Sequence, residues 1–296
     1  MVNATVVRPN ECPDVFKGLG ATQDFLPKRS DDLRILLQGL SGHGKTTFAC
    51  SSPRTVVVDF DRAAECVAGG RAHRIAIPDF KTWMDTYKAL LDDAKSGHPY
   101  FKRVVIDTAD RWLDLEEAAL CKDLSTDKNL VETIGDFGQK GAGYNKLYCR
   151  AMARLDSLFY VGYSWTVCCL LIEKEVTELV DGRYQSRTVI RPAIYPGMLR
   201  SIEQQSDYMM TVLQLRTVEP IMGTKAVKQP DGTVKDYPIK TGEQQVIQSS
   251  LRCSGDSEKQ RVRLPSRIQL PITGGWDIFD AEYAKGVEAA LANTKE

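Results

Sequence analysis

The sequence is short of the residues that most often carry metal and redox chemistry. Among 296 residues there are three histidines (His43, His73, His98) and eight scattered cysteines with no C-x-x-C pair. A zinc site, which needs several such ligands at close spacing, is not expected. Long apolar runs are also missing. The longest, around Trp165 to Ile172, is far too short to span a bilayer, and the N-terminus shows no basic-then-apolar signal pattern. Net charge is zero, so no global field draws the chain to nucleic acid or membrane. Internal repeats and low-complexity tracts are absent. Together these gaps point to a cytosolic protein with reduced thiols, three of which (Cys50, Cys168, Cys169) sit in candidate core elements as small apolar residues.

What is present is an ordinary globular composition, 43% hydrophobic and 26% charged, enough for a sizeable core. The charge is unevenly spread. Residues 182–272 hold 14 Lys/Arg against 8 Asp/Glu, a net of +6 balanced by −6 elsewhere. A modest basic surface of this kind is compatible with a polyanion and equally with chance.

The stretch 33–50, LRILLQGLSGHGKTTFAC, organises the rest. Apolar Leu33 and Ile35–Leu37 read as a buried strand, and residues 39–46 then fit G-x-x-x-x-G-K-[ST] without a mismatch. Gly39, Gly42 and Gly44 let the backbone N–H groups converge on phosphate oxygens, and the following helix adds positive partial charge. The residues expected to touch a nucleotide are Gly39, Ser41, Gly42, His43, Gly44, Lys45, Thr46 and Thr47. Lys45 is placed to reach the β- and γ-phosphates, and the Thr46 hydroxyl to ligate Mg²⁺. With no nucleotide bound, Lys45 is expected to be solvated.

Along the remaining chain, residues 1–30 read as an arm without periodicity. Thr55 to Phe60 (TVVVDF) and Arg103 to Asp107 (RVVID) read as buried strands, and Trp165 to Ile172 as a third. Between them lie amphipathic helices from Phe80 to Gly97 and through Trp112 and Leu120. A third shows the stripe Tyr144, Leu147, Tyr148, Ala151, Leu155, Leu158 and Phe159. Such alternation of wholly apolar strands with helices predicts an α/β fold with a mainly parallel sheet covered on both faces. The character changes after Lys174. Lys174–Val180 and Arg183–Ile190 flank Asp181-Gly182, a hairpin signal. A short helix near Pro196, a strand Tyr208–Leu215, further antiparallel strands around Asp231-Gly232 and a last helix, Ala281–Ala292, follow. The expected divisions are an arm 1–30, an ATPase core 31–215 and a β-rich extension 216–296.

Asp107 ends an apolar strand where a P-loop protein places the carboxylate that holds Mg²⁺ through its water shell. Asp61, with Asp59 as second choice, is the candidate for positioning the attacking water, provided its strand lies beside the P-loop strand. An Asp that merely caps a turn is the plainer alternative for both.

The order of these pieces resembles the RecA-type ATPase core, and within it the phage-encoded RecA-like ATPases linked to single-strand annealing and recombination. The matching segments are GLSGHGKTT (39–47), VVVDFDRA (56–63), VVIDTAD (104–110), FGQKGAGY (137–144) and CLLIEKEV (169–176). This resemblance implies a RecA-like P-loop core with C-terminal β-hairpin elaborations, ATP and Mg²⁺ as cofactors, and a catalytic acid at Asp61. It implies a sensor group at Glu173 or Lys174. Two DNA-facing loops follow from it, with Lys140, Tyr144 and Lys146 in the first and Arg183, Arg187 and Arg191 in the second. The plainer readings are a core Tyr144 and an exposed hairpin decorated with arginines. Lys259-Gln260-Arg261 resembles the element that replicative-helicase ATPases insert into a neighbour's site, which makes Lys259 and Arg261 candidates for acting in trans. The partners implied are single-stranded DNA, further copies in a head-to-tail ring or filament, and a single-strand-binding protein, in the cytoplasm of a phage-infected bacterium. A ring motor (helicase or packaging ATPase) and a DNA-independent switch or kinase are the alternatives.

Overall fold

The computed structural model describes residues 28–67, 70–127, 130–139, 141–180, 183–229, 233–254, 262–271 and 275–293. Strand β1 (Ile35–Gly39) feeds the P-loop and helix α1 (Lys45–Cys50). Then come β2 (Thr55–Asp59), β3 (His73–Ala76), α2 (Phe80–Lys95), β4 (Arg103–Asp107), α3 (Ala109–Leu124) and α4 (Ala142–Tyr160). The chain continues through β5 (Ser164–Val180), β6 (Arg183–Pro192), α5 (Pro196–Gln205), β7 (Tyr208–Lys228), β8 (Val234–Ser254), β9 (Arg267–Leu270) and α6 (Trp276–Asn293).

The strands pair in the order β3-β2-β4-β5-β1-β7-β8-β9, and β6 pairs with β5. From β3 to β7 every pairing is parallel; β5–β6, β7–β8 and β8–β9 are antiparallel. This is the mainly parallel, helix-covered α/β architecture expected from the sequence. Strand periodicity explains the two covers. Leu36, Val56, Val58, Val104 and Ile106 face the layer built by α2 to α5, where Trp83, Trp112 and Leu155 are buried. Their neighbours Ile35, Leu37, Val57 and Val105 face α1 and α6, meeting Phe48, Trp276 and Phe279. Because both faces are covered, the strands are apolar throughout, and each buried Val, Leu or Ile contributes about 1.5–3 kcal/mol.

Several expectations change in position. The condition placed on Asp61 fails: β2 does not lie beside β1, because β4 and β5 stand between them. The apolar run at Trp165 does not end at Ile172. It continues as one strand to Val180, since pairing with β6 satisfies its backbone beyond the sheet. The last helix starts at Trp276, five residues before the expected Ala281, because Trp276 and Phe279 pack on Phe48 of α1 with ring centroids 5.5 and 6.1 Å away. The expected boundary at 215/216 falls inside β7, and α6 returns to the core. Strand β3, short and half-exposed, was not expected at all. Of the arm 1–30, only residues 28–30 are described; Lys28 Nζ pairs with Asp207 Oδ1 at 2.9 Å. No helix among the described residues is long and apolar enough to cross a membrane.

Candidate nucleotide-binding site

The P-loop leaves β1 at Gly39 and turns into α1 through two left-handed residues, Gly42 (φ +74°) and Gly44 (φ +95°), conformations that a Cβ would strain. Gly39 is required by space instead. A Cβ there would lie 3.0 Å from the Val212 carbonyl and 3.2 Å from Lys45 Cγ. The loop opens on a cavity of about 270 Å³ whose lining includes Gly42, Lys45, Thr46, Asp61, Thr108 and Leu170.

Lys45 is not solvated as expected. It is only 6% exposed, and its Nζ donates to the carbonyls of Gly39 (2.9 Å) and Leu40 (3.1 Å). An ammonium held by two neutral carbonyls keeps its charge available to a stronger acceptor, and a phosphate at the loop is one. Thr46 Oγ1 donates to Asp107 Oδ2 at 2.6 Å, joining α1 to the end of β4.

Asp107 is fully buried, and its Oδ1 has no hydrogen-bond partner. Burial pushes this carboxyl up to about 7. The charges of Asp61 and Asp59 act in the same direction, against the Thr46 hydrogen bond and the Lys45 charge. An orphaned carboxylate oxygen beside a threonine hydroxyl is a combination that a hydrated divalent cation satisfies, so the residues fit Mg²⁺. Among the described residues no group of three or more His, Cys, Asp or Glu could hold a metal by itself. That suits a cation whose shell is mostly water and phosphate.

A family profile described as an AAA domain matches residues 31–249. The chain belongs to this AAA-domain family. No curated protein matches it in sequence. Two solved structures similar to it are a KaiC-like protein, PH0186, from Pyrococcus horikoshii OT3 and the flagellar accessory protein FlaH from Methanocaldococcus jannaschii. The first is 12% identical with a TM-score of 0.40, covering 83% of this chain and 88% of that one. The second is 8% identical with a TM-score of 0.35, covering 88% and 91%.

In this AAA domain the two candidate acids have different surroundings. Asp59 is buried and paired to Arg74 Nε at 2.5 Å. Asp61 is exposed and lines the cavity, its Oδ1 accepting from Ala63 N at 2.9 Å. Asp61 reaches the site although β2 is not the neighbour of β1, because β2 pairs with β4 in a register that sets Asp59 beside Asp107.

Glu173 is not in this group. Leu170 is level with Gly39 and lines the cavity, whereas Glu173 lies farther along β5, exposed and opposite Ile190 of β6. Lys174 follows it, opposite Val189. Lys140, Lys259 and Arg261 lie outside the described residues, and Arg183 opens β6.

Tyr144 is half-buried, its ring 5.0 Å from Tyr195 and 6.4 Å from Tyr148, which is the plainer packing role. Lys146 is exposed, with Nζ 5.0 Å from the Phe137 ring centroid. On the β5–β6 hairpin, register puts Arg187 and Arg191 on one face with Lys174, Ile172 and Val189; Glu173 and Glu175 occupy the other. Arg74 was not among the expected site residues, because it stands on the unexpected strand β3. Nor were Thr108, which follows β4, and Leu170, inside β5, whose residue types carry no chemical signal.

Proposed function

We propose that this AAA domain hydrolyses ATP with Mg²⁺, in a head-to-tail assembly of copies, and couples turnover to single-stranded DNA in phage-type recombination, annealing or replication. The observation that carries the ATPase part is the Thr46–Asp107 pair set against Lys45 and Asp61 around one cavity. Phosphates at the P-loop N–H groups draw Lys45 from the Gly39 and Leu40 carbonyls onto the β/γ oxygens, where its charge opposes the charge that builds up during transfer. Thr46 and Asp107 are the residues that would hold Mg²⁺, which supplies further neutralisation of the phosphates. Asp61 orients a water and accepts its proton.

The DNA part is supported by the basic face of Lys174, Arg187 and Arg191. It is supported too by the Tyr144–Tyr195 contact, which brings the glycine-rich loop before α4 against the chain leaving β6. The test is the ATPase rate with and without single-stranded DNA, together with the salt dependence of binding. Removing one phosphate-neutralising charge, as in Arg187→Ala or Arg191→Ala, flattens the log–log salt slope by about 0.7. A rate indifferent to DNA, with no binding at low salt, leaves a nucleotide switch or kinase. Strand unwinding in place of annealing gives the ring motor.

Lys259 and Arg261 would complete the neighbour's site. Lys45→Ala and Arg261→Ala proteins, each inactive, should regain activity when mixed, as about a quarter of interfaces pair an intact site with an intact finger. A co-assembled mixture that stays inactive removes the trans role.

A further inference from the structure

Arg74 stands on β3 opposite Val57 of β2, and its guanidinium reaches the end of that strand. Its Nε donates to Asp59 Oδ2 at 2.5 Å and its Nη2 to Glu65 Oε1 at 2.6 Å. The two carboxylates bracket Asp61 in the chain. Asp59 ends β2, and Glu65 lies in the 3-10 turn Ala63–Cys66. One rigid fork therefore holds both flanks of the turn that carries Asp61.

The two flanks differ in how else they are held. On the near side Phe60 N donates to the Asp107 carbonyl at 2.6 Å, and the Phe60 ring packs edge-on against Trp83 at 5.6 Å. That flank is tied to β4 and the core whatever Arg74 does. On the far side Arg62 adopts a left-handed φ of +63°, a strained conformation for a residue with a Cβ. The Asp61–Ala63 hydrogen bond is internal to the turn and moves with it. Ala64 and Val67 add small apolar contacts with the cluster beneath α1. Among the polar contacts of the described residues, the Arg74–Glu65 bridge is what ties this flank to the sheet.

We propose that Arg74 is a positioning residue for hydrolysis: by bridging Asp59 and Glu65 it sets where the Asp61 carboxylate stands over the nucleotide cavity. The proposal rests on the reading of Asp61 as the water-orienting acid. Such an acid works only within hydrogen-bond reach of its water, and a displacement of about 1 Å costs up to about a hundredfold in rate. Nucleotide binding is made by the P-loop, which Arg74 does not touch, and is not affected. Two other arginines pair with a buried carboxylate, Arg150 and Arg154 with Glu116, but these join the helices α3 and α4. Arg74 alone among these three extends to a second carboxylate in the site turn.

The informative variant is Glu65→Ala, which removes the acceptor of Arg74 Nη2. Glu65 is exposed and the Arg74–Asp59 pair survives its change, so the fold is kept. The expected result is a kcat lower by about ten- to a hundredfold with KM for ATP unchanged. Arg74→Lys keeps a charge beside Asp59 but cannot span both carboxylates, and should lose a similar factor. Arg74→Ala is the weaker experiment, because it leaves Asp59 buried without its partner and threatens folding. A merely structural role is separated by the double variant. If Glu65 acts through Asp61, Asp61→Asn/Glu65→Ala turns over no more slowly than Asp61→Asn alone. Wild-type kcat for Glu65→Ala, or losses that multiply in the double variant, would overturn the role of Arg74 while leaving Asp61 in place. A wild-type rate for Asp61→Asn itself would instead remove the reading on which the proposal stands.

Discussion

Strands β7 and β8 each pass through two environments, and the contrast separates what residue type does from what neighbours do. Where β7 lies between β1 and β8, Met210 is 0% exposed, and Leu251, where β8 lies between β7 and β9, is 0% exposed. Farther along the same strands, Val218, Met222 and Val234 are 60, 57 and 64% exposed. The pairing with β1 ends at Thr211 and that with β9 at Ser249, after which β7 and β8 continue as a two-stranded ribbon. The ribbon runs about 15 residues beyond the sheet, about 50 Å at the usual rise of a strand. Apolar character is shared by both regions; burial follows the lateral strand and the covering helix. The nucleotide site belongs wholly to the covered region, at the C-terminal ends of β1, β2 and β4.

The sharpest break in this comparison comes from the site. Lys45→Ala should lower ATP turnover by about 10²–10³ and weaken nucleotide binding. The melting temperature should stay near that of the wild type, since the Gly39 and Leu40 carbonyls it leaves can take water. A folded Lys45→Ala protein with normal hydrolysis would remove the P-loop from the mechanism.

Truncations test the comparison itself. Leu251→Ala, in the covered region, should cost about 2–5 kcal/mol of stability through the cavity it leaves. Met222→Ala, on the ribbon, should change stability by about 0.5 kcal/mol or less. Denaturant melts of the two variants measure both. Equal losses would mean that the ribbon is packed in solution against something that covers it.

The remaining expected effect is one of pH. Asp107 is raised from an ordinary carboxylate value of 3.8 to about 7. The folded protein therefore holds this proton more tightly than the unfolded chain. The stabilisation is complete below about pH 4 and is lost as pH rises through about 7. Asp107→Asn has no proton to lose. Melted in EDTA without nucleotide, it should gain stability relative to the wild type between pH 5 and pH 8. Mg²⁺ reverses the order at high pH, because the cation needs the ionised carboxylate. Parallel pH profiles in EDTA would show that Asp107 is ionised throughout.

The legible and illegible parts of the molecule divide by the range of the forces involved. Gly42 and Gly44 were readable because a left-handed backbone is a local demand that only a few residue types meet. The apolar strands β1, β2 and β4 were readable for a similar reason, since burial on both faces leaves no polar position along five residues. Strand β3, HRIA, was hidden because it is short and half-exposed. The early start of α6 was hidden because Trp276 and Phe279 are ordered by Phe48, more than 200 residues away in the chain.

By itself, then, the sequence determined the phosphate loop, the strand ending in Asp107 and the α/β class, each written in local geometry or in short periodicity. Tertiary structure alone decided that β4 and β5 come between β1 and β2, and that Asp59 is tied to Arg74 while Asp61 fronts the cavity. It also decided that β5 and β7 run unbroken from the sheet into their hairpins. Strand order, long-range pairing and the choice between two neighbouring carboxylates depend on which surfaces meet after collapse. No window of residues contains that information.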